Sequence, residues 1–323
     1  LGGILRNAIS FESKFKFMKH KFLLFASILL ASASLFSCSK KEEAPGSEGN
    51  PIAFYFTPSV DAQTITESSD DLTAFLEKET GLKFKTGVPT NYITVVEAFG
   101  SKRADVAIMN SSGYLLAHTK HGAEARLRVI RNGMRTYQGA IYAATSAGVD
   151  SGDIKKLNGM RFAFTDAAST SGYLFPMKKL NEAGVKPGNT VFAMKHDNVI
   201  TSIYQGAVDA GAAFWAPADS TGRLRDARER VLTQFPDVAQ KVKVIAVTDP
   251  IPNDPVVFRK GLPEEIKVKI TNALVKYAQT PSGRKILESM YSIQGLEVCT
   301  DQDYAAFRAV VAGMEKEVEN SLK

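Results

Sequence analysis

A chain of 323 residues, 44% hydrophobic and 23% charged, has the make-up of a folded globular protein with length for one large or two ordinary domains. Its formal charge of +6 falls to about +2 once the first 37 residues are set aside, because they hold Arg6, Lys14, Lys16, Lys19 and Lys21 against Glu12 alone. No basic tract and no basic-aromatic interleaving remains, which excludes a nucleic-acid footprint.

The N-terminus reads as a targeting segment, with Lys19 and Lys21 ahead of an apolar run over 22–35 that is too short to span a bilayer. Met18 is the natural start, so residues 1–17 are upstream sequence. The run leads into Leu35-Phe36-Ser37-Cys38, which resembles a bacterial lipobox, and that resemblance makes Cys38 the lipidated residue. The polar stretch 39–50, with proline and glycine, suits a tether between a membrane surface and a folded domain. Cys299 is the other cysteine, so no internal disulfide is expected, and it reads as a small buried hydrophobe.

From Pro51 onward, short β-branched or aromatic runs alternate with helical patterns, the signature of an α/β protein with mainly parallel strands. Strands are expected at 52–57, 82–86 and 105–109, with helices at 69–80 and 91–101. The polar residues 110–113 read as a loop at the carboxyl edge of that sheet, where ligands of open α/β folds sit.

After strands at 127–131 and 140–145, the turn-rich stretch 148–152 suggests a crossover. The alternation then restarts, with strands at 160–165, 190–194 and 209–214 and helices at 170–183 and 196–205. A strand at 242–247 leads to a stretch containing Pro250, Pro252 and Pro255, a stiff extended return path. Helices over 263–279, 282–291 and 301–320 complete the chain. The organisation expected is residues 1–37 as leader, 38–50 as lipidated cysteine and tether, 51–145 as a first lobe, 146–248 as an inserted second lobe, and 249–323 as the return. Two lobes joined by two hinge crossings make a clamshell that closes over a ligand.

The most informative local feature is Ser169-Thr170-Ser171-Gly172, between a strand and a helix. Unpaired amides and the positive dipole end of a helix, with three hydroxyls beside them, form an oxyanion cradle without a fixed cation. An ordinary helix cap is the plain alternative. Phosphate-loop, zincin, redox and nucleophile-elbow motifs are absent, and Ser282-Gly-Arg-Lys285 fits an acylating motif only at a proline-led helix start. An enzyme would need a nucleophile and base, and Ser171 with His196 is the one candidate pair. His118 and His121 share a helix face without companion ligands, so neither a metal nor any other cofactor is expected.

Taken in order, several segments resemble the phosphate/phosphite/phosphonate-binding proteins of ABC importers. They are Tyr-Ile-Thr-Val-Val-Glu-Ala at 92–98 with Ala-Asp-Val-Ala-Ile at 104–108, Tyr-Gln-Gly-Ala-Ile-Tyr at 137–142, and Leu-Asn-Gly-Met-Arg-Phe-Ala at 157–163 with the Ser-Thr-Ser-Gly turn. His196-Asp197 with Gly-Ala-Val-Asp at 206–209, and Ile-Pro-Asn-Asp-Pro-Val at 251–256, extend the likeness over nearly all of 51–320. The resemblance implies a two-lobed periplasmic-binding-protein clamshell of type II-like form. It implies a monomer that delivers a small phosphorus oxyanion to a permease and its ATPase, anchored by lipid at the cell envelope.

It further implies that Ser169, Thr170 and Ser171 hold the phosphorus-bound oxygens, that Tyr92 and Tyr137 donate from the first lobe and hinge, and that His196 and Asp254 complete the site. Asp254 would accept a hydrogen bond from a protonated P–OH group. Family members that take aminophosphonates hold the amine with an acidic residue near 214–216, and here no carboxylate occurs until Asp219, which favours phosphate, phosphite or a simple alkylphosphonate. A sensory lipoprotein of the same fold is the alternative destination for the bound form.

Overall fold

The computed structural model describes residues 43–312. Cys38, the leader and the distal part of the last expected helix lie outside these residues.

The first lobe begins β1 (Ile52–Phe56), α1 (Ala62–Thr80), β2 (Phe84–Gly87), α2 (Tyr92–Gly100), β3 (Val106–Ile108), α3 (Ser111–His121) and β4 (Glu124–Ile130). The chain then enters the second lobe with β5 (Thr136–Ala144) and β6 (Phe162–Phe164), followed by a π turn (Thr170–Leu174) that runs into α4 (Phe175–Glu182). Next come β7 (Thr190–Phe192), α5 (His196–Tyr204), β8 (Ala210–Trp215), a 3₁₀ turn (Ala227–Val231), α6 (Val238–Lys241), β9 (Val242–Val247) and β10 (Ile251–Pro252). The return to the first lobe supplies β11 (Pro255–Phe258), α7 (Glu264–Gln279), α8 (Pro281–Tyr291), β12 (Gly295–Val298) and α9 (Ala305–Ala312).

Strand order in the first sheet is β12-β4-β11-β3-β1-β2, and in the second β10-β5-β8-β6-β7, with β9 also on β5. The central strands β1 and β3 run parallel with Phe54 opposite Val106, and their near-continuous apolar sequences reflect burial on both faces. One face of the first sheet packs on α1, α7 and α8 through Ile65, Leu72, Ile270 and Leu287, and the other on α2 and α3 through Val95, Phe99 and Leu115.

Several expected boundaries move. Helix α1 starts seven residues earlier than its densest apolar stripe, because Asp61 caps the Gln63 amide and Ile65 extends the buried face. Residues 111–113, expected as loop, are the first turn of α3. Gly113 fits there because a Cβ would lie 2.7 Å from Asn110 Oδ1.

The strand expected at 140–145 as the end of the first lobe belongs to the second sheet, where it pairs with β8, β9 and β10. The chain therefore passes between sheets at 131–135 and again at 253–254. The glycine-rich 148–152 stretch is a turn inside the second lobe, its Gly152 amide bonded to Ile245 O. Asn253, fully buried, joins the two passages: its amide donates to Arg135 O (2.9 Å), and its Nδ2 to Val129 O (3.1 Å) and Met134 O (2.8 Å).

Candidate functional site

A cleft of about 560 Å³ opens between the lobes, and six of the seven expected ligand residues line it: Tyr92, Tyr137, Ser169, Ser171, His196 and Asp254. Each reaches the cleft from the end of an element. Tyr92 begins α2, whose cap is Asn91 (Oδ1 accepts from the Thr94 amide, 2.9 Å), and His196 begins α5. Tyr137 lies near the start of β5 and Asp254 on the second inter-lobe passage.

The Ser169–Ser171 turn is held by close backbone packing. Ser169 Oγ caps the Gly172 amide at 3.1 Å. A Cβ on Gly172 would lie 2.2 Å from Thr165 Oγ1, and one on Gly139 of β5 would lie 2.4 Å from Ser171 O. Glycine at both positions lets the turn seat against the sheet. The amides of Thr170 and Ser171 occupy the first turn and have no intrahelical acceptor.

Thr170 departs from expectation. Its side chain is fully buried away from the cleft, with Oγ1 2.7 Å from Ser112 Oγ, 3.0 Å from the Ser112 amide and 3.1 Å from Asn110 Nδ2. The π turn inserts an extra residue and directs this hydroxyl across to the first lobe, leaving the Thr170 amide as its contribution to the cradle.

The hydroxyl of Tyr92 is buried in the cleft wall with no hydrogen-bond partner, and Asp254 Oδ1 is in the same condition. Such groups are costly unless a ligand satisfies them. Burial, followed by the charge of Asp166, pushes the Tyr92 phenol well up, and burial with Asp254 does the same for Tyr137, so both are neutral donors. Burial first, and then the guanidinium groups of Arg230 and Arg131, hold His196 well below the usual imidazole range. The Phe214 amide donates to His196 Nδ1 at 3.2 Å, so Nε2 carries the proton. In that tautomer Nε2 is a donor toward the cleft, and no hydrogen bond joins Ser171 to His196 among the described residues. His118 Nε2 and His121 Nε2 lie near carboxylates of Asp301 (3.6 Å) and Glu97 (3.4 Å) on the outer part of the first lobe.

The expectation of a cradle without a fixed cation is corrected by two arginines that line the same cleft, Arg131 and Arg230. Arg131 Nη2 donates to Asp254 Oδ2 at 2.8 Å and its Nε to Tyr291 O at 2.9 Å. Asp254 is therefore half of an ion pair with one oxygen left over, and its repulsion of an anion is offset by its partner. Both arginines sit in segments whose sequence reads as solvent-facing: Arg131 just before Asn132-Gly133, Arg230 in the charged run 225–230. Nothing in their spacing distinguishes them from surface charge.

The combined geometry, with free amides at a helix start, neutral phenol and imidazole donors and two guanidinium groups, suits a small polyoxyanion. The family model for the periplasmic substrate-binding protein of the phosphonate ABC transporter matches residues 54–304. A phosphate-import protein of Mycolicibacterium smegmatis is 30% identical over 218 residues, spanning 62% of this chain and 67% of that one. The phosphonates-binding periplasmic protein of Escherichia coli is 26% identical over 81% of this chain and 77% of its own. Among solved structures, a binding protein component of an ABC phosphonate transporter from Pseudomonas aeruginosa superposes with a TM-score of 0.72 at 20% identity, covering 84% of this chain and 89% of that one, a likeness of fold.

Proposed function

This chain belongs to the periplasmic substrate-binding proteins of phosphonate ABC transporters, and on that premise we propose that it captures a phosphonate, phosphite or phosphate between its lobes for a permease and its ATPase. The Thr170 and Ser171 amides and the hydroxyls of Ser169 and Ser171 hold the phosphorus oxygens from the second lobe. Tyr92, Tyr137 and His196 donate to the remaining oxygens, and Asp254 Oδ1 accepts from a P–OH group or an ordered water. The observation that carries this reading is the Tyr92 hydroxyl, buried without a partner in a cleft whose other wall presents unpaired helix-start amides.

The protein works as a monomer, held to the envelope by a lipid on Cys38; residues 44–50, expected as part of the tether, instead form a turn on the first lobe, with the Lys83 amide donating to Gly46 O at 2.8 Å, so the tether is the shorter stretch before them. The lobes follow the proposed order of first lobe, inserted second lobe and return, and the closed form is what the permease recognises. A sensory receptor as recipient of that closed form is the second destination, distinguished by which partner retains the ligand-loaded protein.

Calorimetric titration of the fragment from Ser39 onward, stripped of ligand, against phosphate, phosphite, methylphosphonate and sulfate tests the reading. Binding of a phosphorus acid at about micromolar affinity, roughly −8 kcal/mol, with no response to sulfate supports it. Silence across the panel, or equal response to sulfate, removes it.

A further inference from the structure

Four arginines line the cleft, and among the described residues three of them have a carboxylate partner: Arg131 with Asp254 (2.8 Å), Arg223 with Glu229 (2.6 Å) and Arg225 with Asp219 (3.8 Å). Arg230 has no carboxylate of the described residues within ion-pairing distance. Its Nη1 donates instead to the Ser59 carbonyl of the first lobe at 3.0 Å, and its Cζ lies 4.6 Å over the Phe214 ring. That ring in turn meets the His196 ring edge-on at 5.2 Å.

The carboxylate acting on Arg230 from α5 is Asp197, whose Oδ1 is itself buried without a hydrogen-bond partner. The other groups facing it are Tyr92, Tyr291 and the already paired Arg131, and burial pulls its guanidinium down from the usual range. Arg230 is half-buried, and a guanidinium partly withdrawn from water with no carboxylate at ion-pairing distance is held at a cost that an incoming anion relieves.

We propose that Arg230 is a specificity-determining ligand residue: it is the cleft guanidinium that no carboxylate of the described residues engages directly, favouring phosphorus anions with an uncharged substituent and opposing those that carry an ammonium group. This rests on the phosphorus-anion reading of the site. The surroundings agree with it, since the wall beyond Phe214 continues as Trp215, Ala216 and Pro217. Asp219, the first carboxylate past them, is engaged by the Thr221 hydroxyl (2.6 Å) and the Arg223 amide (3.0 Å). Among the described residues of the 214–219 wall, Asp219 is thus the one carboxylate and it is engaged; Glu288 and Asp254 line other parts of the cleft. Because Arg230 stands on the second lobe and donates to the first, the same guanidinium that meets the ligand also latches the closed cleft.

The test compares methylphosphonate with 2-aminoethylphosphonate by calorimetry at one pH and ionic strength. The wild type is expected to prefer methylphosphonate by at least about tenfold, or 1.4 kcal/mol. Arg230→Gln should weaken methylphosphonate by about tenfold and shrink the preference below about threefold, while Arg230→Lys keeps the preference. A preference unchanged in Arg230→Gln, even with both ligands weakened, assigns Arg230 a purely structural role and overturns the proposal. So does a wild type that binds both ligands equally, which needs no variant at all. A wild type that binds neither these nor phosphate removes the site reading itself, an outcome distinct from the loss of selectivity.

Discussion

The second-lobe turn that faces the cleft is fixed before any ligand arrives: Ser169 Oγ caps the Gly172 amide, and Thr170, behind the wall, is bonded to Ser112 and Asn110 of the first lobe. On the facing wall, Tyr92 and Asp254 present buried polar atoms with no partner. The first wall is a rigid template whose amides fix where an anion sits. The second holds unsatisfied groups that make an empty closed cleft unfavourable and a filled one favourable. Preorganisation and ligand-dependent closure are thus divided between the lobes.

Disturbing the template should have the largest effect. In Gly139→Ala the new Cβ meets Ser171 O at 2.4 Å and displaces the turn, so affinity for the preferred phosphorus anion should fall by about 100-fold, or 2.7 kcal/mol. Titration of that variant with circular dichroism to verify folding checks this, and affinity within threefold of wild type would sink the template. Tyr92→Phe should act on the other wall with opposite signs in two measurements. Affinity should drop about tenfold while the ligand-free protein gains about 1 kcal/mol in urea unfolding, because a buried hydroxyl without a partner is removed. A loss in both would mean that the hydroxyl is satisfied in the empty protein.

The next effect is one of pH. His196 has a folded pKa held well below its unfolded value, so the unfolded chain binds the extra proton. Its contribution therefore favours the folded state fully above the unfolded value of about 6.5 and is lost as pH falls below it toward the folded value. Ligand-free wild type should lose thermal stability between about pH 7.5 and 5, and His196→Gln should flatten that slope. Equal slopes in the two proteins would contradict a neutral His196. Asp166, raised by burial, works in the reverse direction, contributing stability only as pH falls toward the carboxylate range. The smallest expected effect is at Cys299, buried and with its thiol pushed up to about 12 by burial: a thiol reagent at neutral pH should leave it unmodified until the protein is unfolded.

Much of the fold was legible because apolar runs such as Ile52–Phe56 are too short for helices and are bounded by turn residues. The helix-start turn was legible for the same reason that it works, namely that serines and glycine cluster where backbone amides are unpaired. Thr170 was misplaced because a π turn adds a residue without any compositional mark, and one residue is enough to point a side chain at the opposite lobe. Arg131 and Arg230 were missed because a charged residue's burial depends on segments far away in sequence, here Asp254 and Ser59. The inter-lobe passages were misjudged in position since glycine and proline mark turns without saying which sheet follows.

Asn253 gives the clamshell a mechanical character that its two passages alone would not. One side chain and its own amide hold Val129 of β4 and Met134 and Arg135 of the other passage, and Tyr304 Oη donates to its carbonyl at 2.9 Å. Two strands free of each other would act as separate ropes, permitting shear and twist as well as opening. Pinned at Asn253, and beside it by the Arg131–Asp254 pair and the Val129 amide on Asp254 O, they form an axle, so that the lobes rotate about one line and the Tyr92 wall returns to the same register against the Ser171 turn at each closure.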